Sequence, residues 1–313
     1  MRHGSRAAVA PRKTLGVRLR RGVAINAMAY LFLLPAIVIY ALFAWYPIIK
    51  GFILSFEKIT ILAPGASMPF IGFDNYRKLF NDPLFPMGVV WGNTLRYTVY
   101  ALLLGFIVPL ALALAINEVR HARSFFRAAF YLPVILPPLV SVFLWQWFYL
   151  PDPNGFFNEM LGWVHIAPLE WIDSQTQAMW SLVILTTWEF AGGTMLIYLA
   201  ALQGVPAHLY EAAEIDGASF WGRLFHITLP QLRIVMLILL VLQIISTMQI
   251  FTEPYALNGG GPNMATTTVM IALYNMAFQY GEWGEASALG VVLFFVLASF
   301  SLLYFVITRR FAR

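Results

Sequence analysis

Glu211, Glu214 and Asp216 fall within six residues of one another in the stretch Leu209-Tyr210-Glu211-Ala212-Ala213-Glu214-Ile215-Asp216-Gly217-Ala218. The stretch stands between two long apolar runs, and a charged hairpin in that setting suits a grip for another protein rather than bond-making chemistry. Glu189 is different: it sits midway along an apolar run, beside Trp188, Phe190, Gly192 and Gly193. An ionisable group at such a position is costly enough to count as a functional candidate. Its competing reading, weighed evenly, is a structural carboxyl bonded to a neighbouring helix. Gln243, Ser246, Thr247 and Gln249 polarise a third run, which Glu253 ends. Each of these, taken singly, is more ordinarily glue between helices.

Covalent and metal chemistry find little support. Cysteine is absent, which removes disulfides, thiolate ligands and cysteine nucleophiles. The five histidines, His3, His121, His165, His208 and His226, lie in tails or loops without metal-ligand spacing. No Gly-x-x-x-x-Gly-Lys-Ser/Thr loop occurs, so nucleotide hydrolysis belongs to another chain. The expected cofactor set is therefore empty, with ATP and magnesium held by a partner.

The elements that must position these residues are membrane helices. Of 313 residues 60% are hydrophobic and 11% charged, against about 25% charged in a soluble domain. Six apolar runs are long enough to cross a ~30 Å hydrocarbon core, at about 26–46, 95–117, 128–150, 177–203, 229–252 and 286–308. The net charge of +5 sits at helix ends, which favours membrane topology over nucleic acid. With the N-terminus inside, fifteen Lys and Arg fall on the cytoplasmic side and five outside, namely Lys50, Lys58, Arg77, Lys78 and, at the outer end of the second helix, Arg96. Lysine and arginine are retained on the cytoplasmic side, so both termini and the acidic hairpin face the cytoplasm. Residues 1–21 read as a basic cytoplasmic tail and 22–313 as a single transmembrane domain. The uncharged stretch 254–281 is broken by Gly259-Gly260-Gly261-Pro262 and reads as an external loop with a short helix near 267–278 dipping towards the bundle. Pro133, Pro137 and Pro138 are expected to bend the third helix.

Within the hairpin, Pro206 suits a first helical turn, and Ala, Leu and Glu favour helix as far as Ile215. Gly217 reaches the positive φ that a reversal after a helix needs. Thr228 and Gln231 have capping-box spacing, so the next membrane helix is expected to start there.

Glu211-Ala212-Ala213, three residues, Gly217, nine residues and Ile227-x-Leu229-Pro230 resemble the cytoplasmic loop signature of permease subunits of binding-protein-dependent ABC importers. The flanking residues are similar to the carbohydrate branch, with its maltose and glycerol-3-phosphate permeases. Phe70-Ile71-Gly72-Phe73-Asp74-Asn75-Tyr76 and Asn258-Gly-Gly-Gly-Pro262 resemble two further segments of that branch. The resemblance implies an all-α, integral membrane, type I importer fold with its core at about 90–308 and a coupling loop at 204–228. It also implies a second permease, two cytoplasmic ATPase subunits, an extracytoplasmic binding protein and a prokaryotic inner membrane. Glu211, Ala212, Ala213, Asp216 and Gly217 would contact the ATPase. The external loops 50–91, 151–173 and 254–285 would be docking surfaces for the binding protein.

The translocation path is expected between the fourth and fifth helices, along Glu189, Phe190, Gly193, Gln243, Ser246, Thr247 and Ile250. An ungapped match to maltose-type permeases puts their sugar-contacting positions on Gln243, Ser246, Thr247 and Ile250, with different residue types. No Lys or Arg lies in a membrane core, so a neutral polyol or oligosaccharide is favoured over an anion. Glycerol-3-phosphate or another small anion is the alternative within the class. Outside it, an ion-coupled secondary transporter would use Glu189 and Glu253 as proton sites. A membrane-embedded enzyme would need a clustered set of carboxylates or histidines that the sequence lacks.

Overall fold

The computed structural model describes residues 28, 30–59, 68–119 and 121–311, with side chains to Val306. The basic tail at 1–21, the expected start of the first span and Arg120 lie outside the described residues. Two compact units divide at residue 53. The first contains most of helix α1, Tyr30–Leu54, 25 residues long and apolar enough to cross a membrane.

The second unit, from Leu54 onwards, is helical throughout, and its described residues form no strand beyond a single bridge between Glu57 and Phe70. Its helices are α2 (Asp74–Asn81), α3 (Met87–Glu118), α4 (Arg123–Ile135), α5 (Pro138–Phe148) and α6 (Phe156–Trp163). They are followed by α7 (Ala178–Gln203), α8 (Ala207–Ile215), α9 (Phe220–Met248), α10 (Thr252–Asn258), α11 (Val269–Gln279) and α12 (Trp283–Phe311). Helices α1, α3, α7, α9 and α12 are long and apolar enough to span, and α4 with α5 makes a sixth span if that bent pair is counted as one.

The bend is sharper than prolines alone ordinarily give. Helices α4 and α5 meet at 100°, because Leu136, the residue before Pro137, is pushed into an extended conformation at φ −69°, ψ 138°. Helix α7 runs closest to α4 where Gly192 faces Phe130, since a Cβ there would collide with the Phe130 carbonyl oxygen. More than half of the α7 membrane window is buried, against about a fifth for α3, α9 and α12. Helix α7 is thus the axis of the unit.

One expectation needs correcting. Thr228 does not begin a helix: α9 runs unbroken from Phe220 through a π-turn at Leu224–Thr228. The N-cap is Ser219, whose hydroxyl accepts from the Gly222 amide at 3.2 Å. Thr228 instead turns its side chain to tertiary bonding.

The Phe70–Tyr76 segment folds as a clamp. Gly72 takes φ +61°, and Asn75 Nδ2 donates to the carbonyls of Ser55 at 2.9 Å and Glu57 at 3.0 Å. The Tyr76 hydroxyl bonds Ser55 Oγ at 2.9 Å. Helix α12 begins against this clamp, where Gly284 leaves room for the Asn75 amide.

Candidate functional site

Two regions gather the residues singled out by sequence. The first is the hairpin of α8 and the start of α9. Helix α8 ends in a Schellman pair: the Gly217 amide donates to Glu214 O at 3.1 Å and the Ala218 amide to Ala213 O at 2.8 Å. Gly217 has φ +74° with open space around it, so conformation, not crowding, selects glycine. Glu211, Ala212, Asp216 and Gly217 are exposed and Ala213 half-buried. Among the described residues the hairpin carboxylates form no ion pair. Ile215 is 87% exposed, and Phe220, Trp221 and Phe225 are exposed beside it. A side-chain link ties α8 to the spanning helix: the Tyr210 hydroxyl lies 3.0 Å from Thr228 Oγ1, which also reaches Arg223 O at 3.3 Å.

The second region is a cavity of about 380 Å³ between α3, α7 and α9, within the ~300–1,000 Å³ range of small-molecule sites. Phe190, Gly193, Gln243, Ser246 and Thr247 all line it. Glu189 and Ile250 do not. Glu189 is buried in α7 outside that lining, with Oε2 meeting no hydrogen-bond partner among the described residues. Ile250 follows the end of α9 and packs in the cluster of Tyr97, Trp145 and Leu182, its carbonyl accepting from Thr268 Oγ1 at 3.0 Å. Glu253 is likewise buried in α10, and burial raises its carboxyl above the ordinary range while a backbone bond opposes the shift.

Sequence reading missed the opposite walls. Helix α7 adds Thr186, Thr187 and Thr194, and α3 adds Tyr97, Ala101 and Gly105. The signal for Thr187 and Thr194 was their seven-residue spacing, two helical turns on one face. Tyr97 donates to Thr186 Oγ1 at 3.1 Å, and Gln243 Nε2 donates to Ala101 O at 2.7 Å. The Gln243 side chain crosses directly over Gly105, where a Cβ would strike its amide. The lining therefore offers hydroxyls and one amide on an apolar frame, with no charged side chain. Such a surface can bind an uncharged, hydroxyl-rich solute by hydrogen bonds. It holds no nucleophile with an adjacent base, and the described residues include no group of three or more metal ligands.

A multi-pass helical unit with a neutral polar cavity between its spans and an exposed hairpin between two of them is the architecture of a transport permease. The chain belongs to the family of binding-protein-dependent transport system inner membrane components, whose family model matches residues 107–313. Among curated relatives it is 34% identical to the arabinooligosaccharides transport system permease protein AraP of Bacillus subtilis (strain 168), over 89% of this chain and 87% of the relative. It is 31% identical to the trehalose/maltose transport system permease protein MalF of Thermococcus litoralis, over 90% and 94%. It is also 31% identical to the sulfoquinovosyl glycerol permease SmoG of Agrobacterium fabrum, over 90% of each chain. Among solved structures, a chain of a bacterial ABC transporter that imports the acidic polysaccharide alginate superposes with TM-score 0.83 at 27% identity, covering 95% of this chain and all of that one. The fold is that of a type I ABC importer permease.

Proposed function

We propose that this protein is the membrane-spanning permease of an ATP-driven importer for a carbohydrate, an oligosaccharide or polyol whose uncharged rings pass through the α3–α7–α9 cavity. The observation that carries the reading is the hairpin: an acidic helix, ended by Gly217 and clipped to a spanning helix through Tyr210 and Thr228, displays unpaired carboxylates and an exposed Ile215. Close after Ile215 in sequence, Phe220, Trp221 and Phe225 expose rings in mutual contact, and an exposed apolar patch on so small a charged element fits a protein partner. That partner is a cytoplasmic ATPase, which supplies the nucleotide chemistry absent from this chain. Glu211 and Asp216 act as polar contacts to it, and Gly217 as the bend. A second permease completes the path, a second ATPase subunit completes the motor, and an extracytoplasmic binding protein delivers the solute.

The carbohydrate assignment is supported by the uncharged hydroxyl and amide lining and by the sugar and oligosaccharide permeases among the relatives. Proton coupling through Glu189 finds no support, because that residue is not among those lining the cavity. The test is reconstitution with the cognate ATPase, second permease and binding protein, followed by uptake of labelled oligosaccharides. Uptake that requires ATP and the binding protein is expected. Uptake driven by a proton gradient without ATPase subunits would overturn the reading.

A further inference from the structure

The hydrogen bonds along the α3–α7–α9 cavity have a direction. Tyr97 donates to Thr186 Oγ1 at 3.1 Å, and Thr186 in turn donates to the carbonyls of Leu182 at 3.0 Å and Val183 at 3.2 Å. On α9, Ser246 donates to Gln243 O at 3.0 Å and Thr247 donates to the same carbonyl at 2.8 Å. Gln243 spends an amide proton on Ala101 O at 2.7 Å. A backbone carbonyl can only accept, so the direction of these bonds is fixed. Of the seven lining side chains that carry a hydrogen-bonding group, five have thus turned donors back into the protein. Only Thr187 and Thr194 make no such bond among the described residues.

Helix α3 adds an acceptor from its backbone. Its lining residues Tyr97, Ala101, Gly105 and Pro109 recur every four positions. Proline has no N–H, so Pro109 leaves the Gly105 carbonyl, one turn back, without its helical donor. Among the described residues no side chain donates to that carbonyl, and the two residues that bracket it both line the cavity. Away from water, a backbone acceptor of this kind is costly until a donor reaches it. The Gln243 side-chain oxygen likewise receives no hydrogen bond among the described residues. What the wall offers a solute is therefore mostly lone pairs: those of Gly105 O, Gln243 Oε1 and the committed hydroxyls of Tyr97, Ser246 and Thr247.

We infer that this wall selects solutes by the hydroxyl protons they donate, with the Gly105 carbonyl, uncovered by Pro109, as the acceptor for one of them. The inference rests on the importer reading and narrows its substrate class to saccharides whose hydroxyls are free at the contacted positions. A position that is O-methylated, O-acylated or oxidised to a carboxylate offers only acceptors and gains nothing from such a wall. A site built to bond a hydroxyl rejects the analogue that lacks it, because the protein group is then left unpaired.

The test uses the assembled importer in proteoliposomes. Neutral disaccharides of glucose, galactose, arabinose or xylose are screened for uptake, and every monodeoxy and monodeoxyfluoro analogue of the best one then competes against it. Fluorine accepts weakly and cannot donate. In the wild type at least one position is expected where the deoxy and fluoro analogues compete equally poorly, each about tenfold more weakly than the parent sugar. Pro109→Ala restores an amide that occupies the Gly105 carbonyl. It should weaken the parent sugar about tenfold, leave the two analogues of one such position unchanged, and not lower the melting temperature. Fluoro analogues that match the parent wherever deoxy analogues fail would mean that the lining donates, and would overturn the inference. Gaps that all survive Pro109→Ala would overturn the role of Gly105. The wild-type comparison needs no variant, so it decides the direction of bonding even if Pro109→Ala fails to assemble. Uptake that is independent of ATP would count against the importer reading alone, because the analogue ratios still report which way the bonds point.

Discussion

The Tyr210 hydroxyl and Thr228 Oγ1, 3.0 Å apart, join an otherwise exposed helix to a spanning helix that lines the cavity. Thr228 reaches back to the Arg223 carbonyl, so its lone pairs face the tyrosine proton. The bond sits inside the π-turn, where the wider helical register turns Thr228 towards α8. On the proposed coupling role, this bond is the short strut through which displacement of the hairpin would reach α9.

Removing that strut should uncouple without unfolding. Tyr210→Phe deletes one hydrogen bond worth about 1 kcal/mol, too little to dismantle a membrane bundle. Expected are normal insertion and complex assembly, with solute-stimulated ATPase activity and uptake reduced several-fold. Wild-type coupling in Tyr210→Phe and in Thr228→Val would show that the hairpin moves α9 by another route.

Gly217 offers a test of shape against chemistry. At φ +74° a proline cannot be accommodated, whereas alanine adopts the conformation at a cost of about 1–2 kcal/mol. Gly217→Pro should leave the protein inserted and abolish uptake, and Gly217→Ala should fall between. Transport by Gly217→Pro at the wild-type rate, measured in proteoliposomes, would refute the assignment of this turn.

Gly105 and Gln243 form a pair that a double-mutant cycle can resolve. A methyl at Gly105 strikes the Gln243 amide and drives it off the Ala101 carbonyl and into the cavity. Gly105→Ala alone should slow uptake about tenfold or more, with overpacking of about 1–3 kcal/mol lowering the melting temperature. Adding Gln243→Ala removes the obstruction, so the double variant should be less impaired than the sum of the two predicts. Strict additivity would mean that the contact does not shape the path.

Glu189→Gln separates the importer from an ion-coupled transporter. The residue is buried outside the cavity lining and one carboxyl oxygen lacks a partner among the described residues. An amide of equal size should hold uptake within about twofold and leave thermal stability equal or raised, since an unpaired buried acceptor costs about 1–3 kcal/mol. Loss of uptake with intact assembly and ATPase coupling would place Glu189 in transport after all.

The hairpin was the most legible part of the chain, because the positive φ of Gly217 and the helix formers before it are local effects. The six apolar runs were legible for the same reason, each being a composition that only a bilayer or a bundle core accommodates. Thr228 misled because its spacing to Gln231 imitates a cap, while Ser219 upstream had already started the helix. The cavity was half legible. Gln243, Ser246 and Thr247 stood out on an apolar helix, but Thr186, Thr187 and Thr194 belong to the most buried helix, where threonines are as readily packing residues. Glu189 and Ile250 show the limit of reading by position: which face of a helix a residue takes depends on neighbours far away in sequence.

The loop after α10 is fastened to α3 rather than left to itself. Asn93 Nδ2 donates to Met264 O at 2.6 Å and to Thr267 O at 3.3 Å, and the Val269 amide donates to Thr94 Oγ1 at 2.9 Å. Those anchors lie one turn from Tyr97, on the wall of the cavity. On the proposed importer reading, a load on this loop would reach the rim of the chamber through those anchors, so arrival of cargo would register at the gate as a mechanical signal before any solute has crossed the threshold.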